Sequence, residues 1–170
     1  MTEQPTTFLV DAYSDPVIVK ISGRASFVNS ASLRDFFNHM IKAGKRRFIL
    51  DFADCISMDS TFLGVIAGAA LTLQGDESPG SMVLCRLCSR NLELVKNLGL
   101  DRLVTVDDGD VPPPDIAASA EKLETSSGEA ELESAKLVLE AHKNLIEVDE
   151  GNREKFQDVV TFLKNQVDRM

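Results

Sequence analysis

The sequence predicts an α/β layered domain with a mostly parallel sheet of about five strands flanked by helices, plus a C-terminal α-helical hairpin. Three observations carry this. Over residues 1–106, short β-branched or apolar runs alternate with amphipathic runs of helical period, in the order β-β-α-β-α-β-α-β. A segment rich in acid and proline, residues 107–127, then interrupts the alternation. Residues 128–170 hold two amphipathic helices separated only by Gly151-Asn152.

The first two strands are expected at Thr6–Asp11 and Val17–Ser22, around the turn Tyr13-Ser14-Asp15-Pro16, with Gly23 ending the second. Asn29 or Ser30 then caps a helix reaching about Ala43, with Leu33, Phe36, Phe37, Met40 and Ile41 as its apolar stripe and Gly44 as its stop. Lys45–Phe52 is apolar nearly throughout its second half, as suits a central strand covered on both faces. A helix from Ser60 to about Leu73 follows. Its glycines, Gly64 and Gly68, cost up to about 1 kcal/mol each in helix propensity and so are expected to serve close packing, here against the sheet. Gln74–Gly80 is a loop, Met82–Leu87 a strand, Arg90–Leu98 a helix ending at Gly99, and Leu103–Val106 a last strand.

In residues 107–127 three consecutive prolines forbid a helix, leaving only a weak helical turn at 117–123. Ser126 and Glu129 have capping-box spacing and open a helix to about Val148. The last helix carries Phe156, Val159, Val160, Leu163 and Val167. Neither hairpin helix can bury its stripe alone, so the stripes must meet each other, the α/β body or a second copy. The linker would also let the hairpin reach such a copy, forming a homodimer through the C-terminal hairpin.

The chain has 170 residues and a net charge of −9, all but one unit of it in residues 107–134. The α/β part is balanced, with 11 acidic and 11 basic side chains over residues 1–106. The single short basic cluster, Lys45-Arg46-Arg47, has no accompanying basic stripe, which argues against nucleic acid as a direct partner. No run approaches the roughly 20 apolar residues of a membrane span, and the N-terminus lacks the pattern of a signal peptide. A cytoplasmic protein is expected. Cys55, Cys85 and Cys88 cannot all pair. The Cys85-x-x-Cys88 spacing suits a metal or redox pair, but it lacks a second ligand pair, and free thiols are the commoner state of intracellular cysteines.

The junction Met58-Asp59-Ser60-Thr61 lies where a strand gives way to a helix. Asp, Ser and Thr there would cap free backbone N–H groups. The same N–H groups and the helix dipole favour an anion, so a phosphate on a hydroxyl would be tolerated. Asp51, Asp54 and Asp59 cluster in sequence without a His or Cys base in the same pattern, so no catalytic function, cofactor or metal is expected.

The run Phe48-Ile-Leu-Asp-Phe-Ala-Asp-Cys-Ile-Ser-Met-Asp-Ser-Thr-Phe-Leu-Gly-Val-Ile66 resembles the signature of anti-sigma factor antagonists, members of the STAS domain family. The likeness extends more loosely over residues 6–106. It implies a phosphorylation-controlled antagonist that, unphosphorylated, binds an ATP-dependent anti-sigma serine kinase and so frees a sigma factor. A cognate phosphatase would reverse the modification. Ser60 matches the phosphorylated residue, with Asp59, Thr61, Met58, Phe62 and Leu63 as partner-binding neighbours. Phe62 stands where the pattern has Gly, at the rim of the site, where it would fill space the partner approaches. The alternative in the same family is a constitutive STAS scaffold subunit of a larger assembly, stressosome-like or in lipid transport.

Overall fold

The computed structural model describes residues 7–75, 79–107, 120–123 and 131–169. Among these, six strands form one sheet in the order β5-β4-β3-β2-β1-β6. The strands are β1 (Thr7–Asp11), β2 (Val17–Ala25), β3 (Arg47–Met58), β4 (Ser81–Cys85), β5 (Thr105–Asp107) and β6 (Glu121–Lys122). The pairs β2–β3, β3–β4 and β4–β5 are parallel, while β1 runs antiparallel to both β2 and β6. Five α-helices accompany the sheet: α1 (Phe27–Lys42), α2 (Ser60–Gly75), α3 (Ser89–Asn97), α4 (Glu131–Val148) and α5 (Asn152–Arg169).

The expected α/β class is what the structure shows, with differences that have physical reasons. Gly23 does not end β2. Its left-handed backbone (φ 84°) lies at a shift in register with β3, after which the strand continues to Ala25. In parallel, β3 runs on past Phe52, the expected end of the strand, to Met58, because Ser22–Ala25 give it a partner. With β2 extended, α1 starts earlier, and its N-cap is Ser26 rather than Asn29 or Ser30. Ser30 is buried and donates to the Ser26 carbonyl. Within residues 107–127, Glu121–Lys122 add a strand to the sheet edge at β1 in place of the weak helical turn. The Ser126–Glu129 capping box lies outside the described residues.

The core explains the burial of α2. Phe62 packs parallel to Phe8 of β1 at 6.2 Å and edge-on to Phe52 of β3 at 6.3 Å, so this side of α2 meets the sheet. The glycines look elsewhere. A Cβ on Gly64 would stand 2.2 Å from the Ala141 carbonyl oxygen, and one on Gly68 would stand 2.5 Å from Asn144 Nδ2. The close approach they permit is therefore to α4 of the hairpin, not to the sheet. Ala135, Leu137, Ala141 and Leu145 of α4 are buried. At the tip of the hairpin, Asn152 is fully buried and donates to the carbonyls of Leu98 (2.9 Å) and Leu145 (2.7 Å). Lys155 reaches the Asn97 carbonyl at 2.6 Å, and Arg102 pairs with Asp149. The outer helix α5 stays largely exposed, including Val159 and Phe162.

Candidate functional site

The extended ends of β2 and β3 bring the starts of α1 and α2 side by side, and Asp59 joins them. Its N–H donates to the Ala25 carbonyl at 3.0 Å, continuing the β2–β3 ladder by one bond. One carboxylate oxygen accepts from Phe62 N–H at 2.8 Å, and the other accepts from Phe27 N–H at 2.9 Å. The Asp59 carbonyl receives Leu63 N–H, the first bond of α2. Asp59 is thus the N-cap of α2 and also satisfies a free donor at the start of α1.

Capping by Asp59 leaves the Ser60 hydroxyl for another use. Ser60 is half-buried, and its Oγ lies 2.8 Å from His142 Nε2 on α4. The opposite ring nitrogen, Nδ1, sits 2.7 Å from the Val138 carbonyl oxygen, which only accepts. Nδ1 therefore carries a hydrogen and donates to that carbonyl; in the corresponding neutral tautomer Nε2 is bare and accepts from the Ser60 hydroxyl. His142 is buried, with Phe156 of α5 edge-on at 4.9 Å. Two residues on, Asn144 donates to the Gly64 carbonyl at 3.2 Å, and Arg34 of α1 pairs with Glu140 at 3.4 Å. The hairpin therefore reaches the candidate residue directly.

The predicted neighbours divide sharply. Asp59 and Ser60 are half-buried, whereas Met58 and Thr61 are buried and Phe62 and Leu63 are fully so. Phe62, expected at the rim, is a core residue because the third position of α2 faces the sheet. Neither it nor Leu63 presents surface to a partner in this arrangement. The exposed apolar side chains at this end of the sheet are instead Phe27 and Val28 at the start of α1 and Ile56 on β3.

The aspartates do not converge. Asp51 is buried, accepts from Ala53 N–H at 3.0 Å and is gripped on both oxygens by Arg86, whose backbone is left-handed (φ 58°). The Asp51 carboxylate holds the Arg86 guanidinium above its ordinary pKa. Asp54 pairs with Lys20 at 3.1 Å in an exposed position. A histidine does come within reach, but of Ser60 rather than of any aspartate. Cys55 and Cys85 are buried, and loss of solvent pushes each thiol up to about 11, while Cys88 is exposed. No group of three or more His, Cys, Asp or Glu is placed to hold a metal among the described residues. No described helix is long and apolar enough to cross a membrane.

Sequence reasoning missed His142. Its signal was a lone histidine set in the apolar stripe of α4 between Ala141 and Leu145. What the sequence lacked was the surface that stripe would cover.

No curated protein matches the chain by sequence. The NMR structure of the protein TM1081 is similar at 20% identity, over 64% of this chain and 86% of that one, with a TM-score of 0.48. The family model described as "Mlab, STAS domain" matches residues 8–105, the segment from β1 to the start of β5 that contains Asp59 and Ser60. The chain belongs to the STAS domain family.

Proposed function

We propose that the protein is a phosphorylation-controlled anti-sigma factor antagonist. Unphosphorylated, it binds an ATP-dependent serine kinase that otherwise sequesters a sigma factor; phosphate on Ser60 releases it, and a phosphatase restores it. Membership in a family that includes such antagonists and works through protein–protein contacts supports the reading. The observation that carries it is the placement of Ser60. It is the first residue of α2, half-buried, beside the acidic Asp59 and at the end of the sheet where Phe27, Val28 and Ile56 are exposed. Exposed apolar side chains at the same end of the sheet as a modifiable hydroxyl suit a docking surface whose affinity a charge would control.

Phosphate adds about −1.5 to −2 charge. At a helix N-terminus it is favoured by up to about 1 kcal/mol, so it would not unfold the domain. Its effect falls on the interface, through bulk and through repulsion added to that of Asp59. Catalysis by the chain itself forms no part of the reading, since the His142 Nδ1 donor is satisfied by a backbone carbonyl rather than oriented by a carboxylate. In a pull-down from native lysate, Ser60→Ala bait is expected to capture a kinase with ATPase activity and Ser60→Asp bait to lose it. Equal capture by both contradicts the reading.

A constitutive scaffold role has one observation in its favour: the Ser60 hydroxyl is already used within the chain. Absence of phosphate on Ser60 in cells, together with stable recovery in a larger assembly, would support that role.

A further inference from the structure

A hydroxyl that serves as a phosphate acceptor must give up its proton and admit a donor. The Ser60 proton is shared with His142 Nε2, and His142 belongs to an element outside the family-matched segment. We propose that the C-terminal hairpin is a latch on Ser60, so that docking of α4 and phosphorylation of Ser60 exclude one another. This rests on the reading of Ser60 as the modified residue.

During transfer, the γ-phosphoryl group of ATP leaves its bridging oxygen and bonds to Ser60 Oγ, ADP departs, and the hydroxyl proton passes to a base of the kinase. That proton is the one now joining Ser60 to His142. Afterwards the ester oxygen has no hydrogen to offer, so the 2.8 Å contact loses the donor Ser60 supplied, and the phosphate must enter a gap sized for a hydroxyl. The phosphate adds a dianion beside a ring that is buried between α2 and Phe156.

The fit of α4 makes the response discrete. With Gly64 leaving no room for even a Cβ beneath the Ala141 carbonyl, α4 cannot slide sideways to relieve the strain. It is either seated or lifted. The hairpin tip stays anchored meanwhile, through Asn152 to the Leu98 carbonyl, Lys155 to the Asn97 carbonyl and Arg102 to Asp149. Lifting therefore uncovers the Gly64–Gly68 face of α2 together with Leu137, Ala141 and Leu145 of α4. In the seated state the same contact slows phosphorylation, while the outer patch of Phe27, Val28 and Ile56 remains open for docking.

Hydrogen exchange on the full chain, read by mass spectrometry, tests this without a kinase. Ser60→Asp and His142→Ala are each expected to speed exchange across α4 about five- to tenfold over wild type, with β2 and β3 unchanged as the folding control. Gly64→Ala should do the same while leaving the Ser60 hydroxyl intact, and should also raise the rate at which native lysate with ATP labels Ser60. Exchange in α4 of Ser60→Asp at or below the wild-type rate overturns the latch, because it would mean that the carboxylate recruits a protonated His142 and tightens the contact. Failure of lysate to label Ser60 in any variant counts against the kinase reading alone, and the exchange rates still decide the latch.

Discussion

Asp59 and Phe62 show how a short motif divides its labour. The Asp59 carboxylate closes the starts of two helices. Replacing it with Ala should cost about 1–2 kcal/mol in urea unfolding, more than one exposed cap usually gives. Phe62, stacked on Phe8 and edge-on to Phe52, is a core residue. Phe62→Ala should cost about 3–5 kcal/mol by the same measurement, which a rim residue would not. The thiols allow a third check. Burial favours the protonated form of Cys55 and Cys85, raising both from 9.0 to about 11. That contribution to stability is present below pH 9 and is lost as pH rises through 11. Alkylation at pH 8 followed by mass mapping should mark Cys88 alone until the protein is unfolded. Among these residues the caps were legible in sequence, because Asp-Ser-Thr before an apolar run has few local alternatives. The position of Phe62 was not, because its neighbours Phe8 and Phe52 come from strands far away in the chain.

At the scale of elements, α2 is the hub, with the sheet on one side and α4 on the other. Its glycines offer a graded test by thermal melting. Gly64→Ala should be the most damaging, since its Cβ meets the Ala141 backbone and overpacking of this kind costs about 1–3 kcal/mol. Gly68→Ala should be milder, since only the Asn144 side chain must move, and Gly75→Ala, with nothing within 4 Å, should be neutral or slightly stabilising. The order of the three separates packing against α4 from helix propensity, which would improve at all of them. The sequence announced that small residues on α2 served close approach. It misassigned the neighbour, because periodicity marks a face without saying which layer covers it. Strand lengths erred for a related reason: the strand expected over Lys45–Phe52 continues to Met58, because the extension of β2 past Gly23 supplies its partner.

For the whole molecule, the family-matched segment and the hairpin form one connected arrangement in which the last helices reach back to the motif. The α/β class and the hairpin were both legible from hydrophobic period and punctuation. Their docking was not, since it depends on Gly64 meeting Ala141 and Ser60 meeting His142, pairs separated by about half the chain. Two properties follow for function. The exposed side chains of Phe27, Val28 and Ile56 lie at the same end of the sheet as Ser60, and the Ser60 hydroxyl is in contact with His142 of α4. The central claim is that Ser60 is the residue through which this protein is switched. The most direct measurement is phosphosite mapping of the full chain recovered from its native cells, alongside a Ser60→Ala control. The account predicts phosphate on Ser60 in the wild type and none elsewhere in the control; phosphate absent from Ser60 under every growth condition, or present at another residue that controls kinase capture, would contradict it.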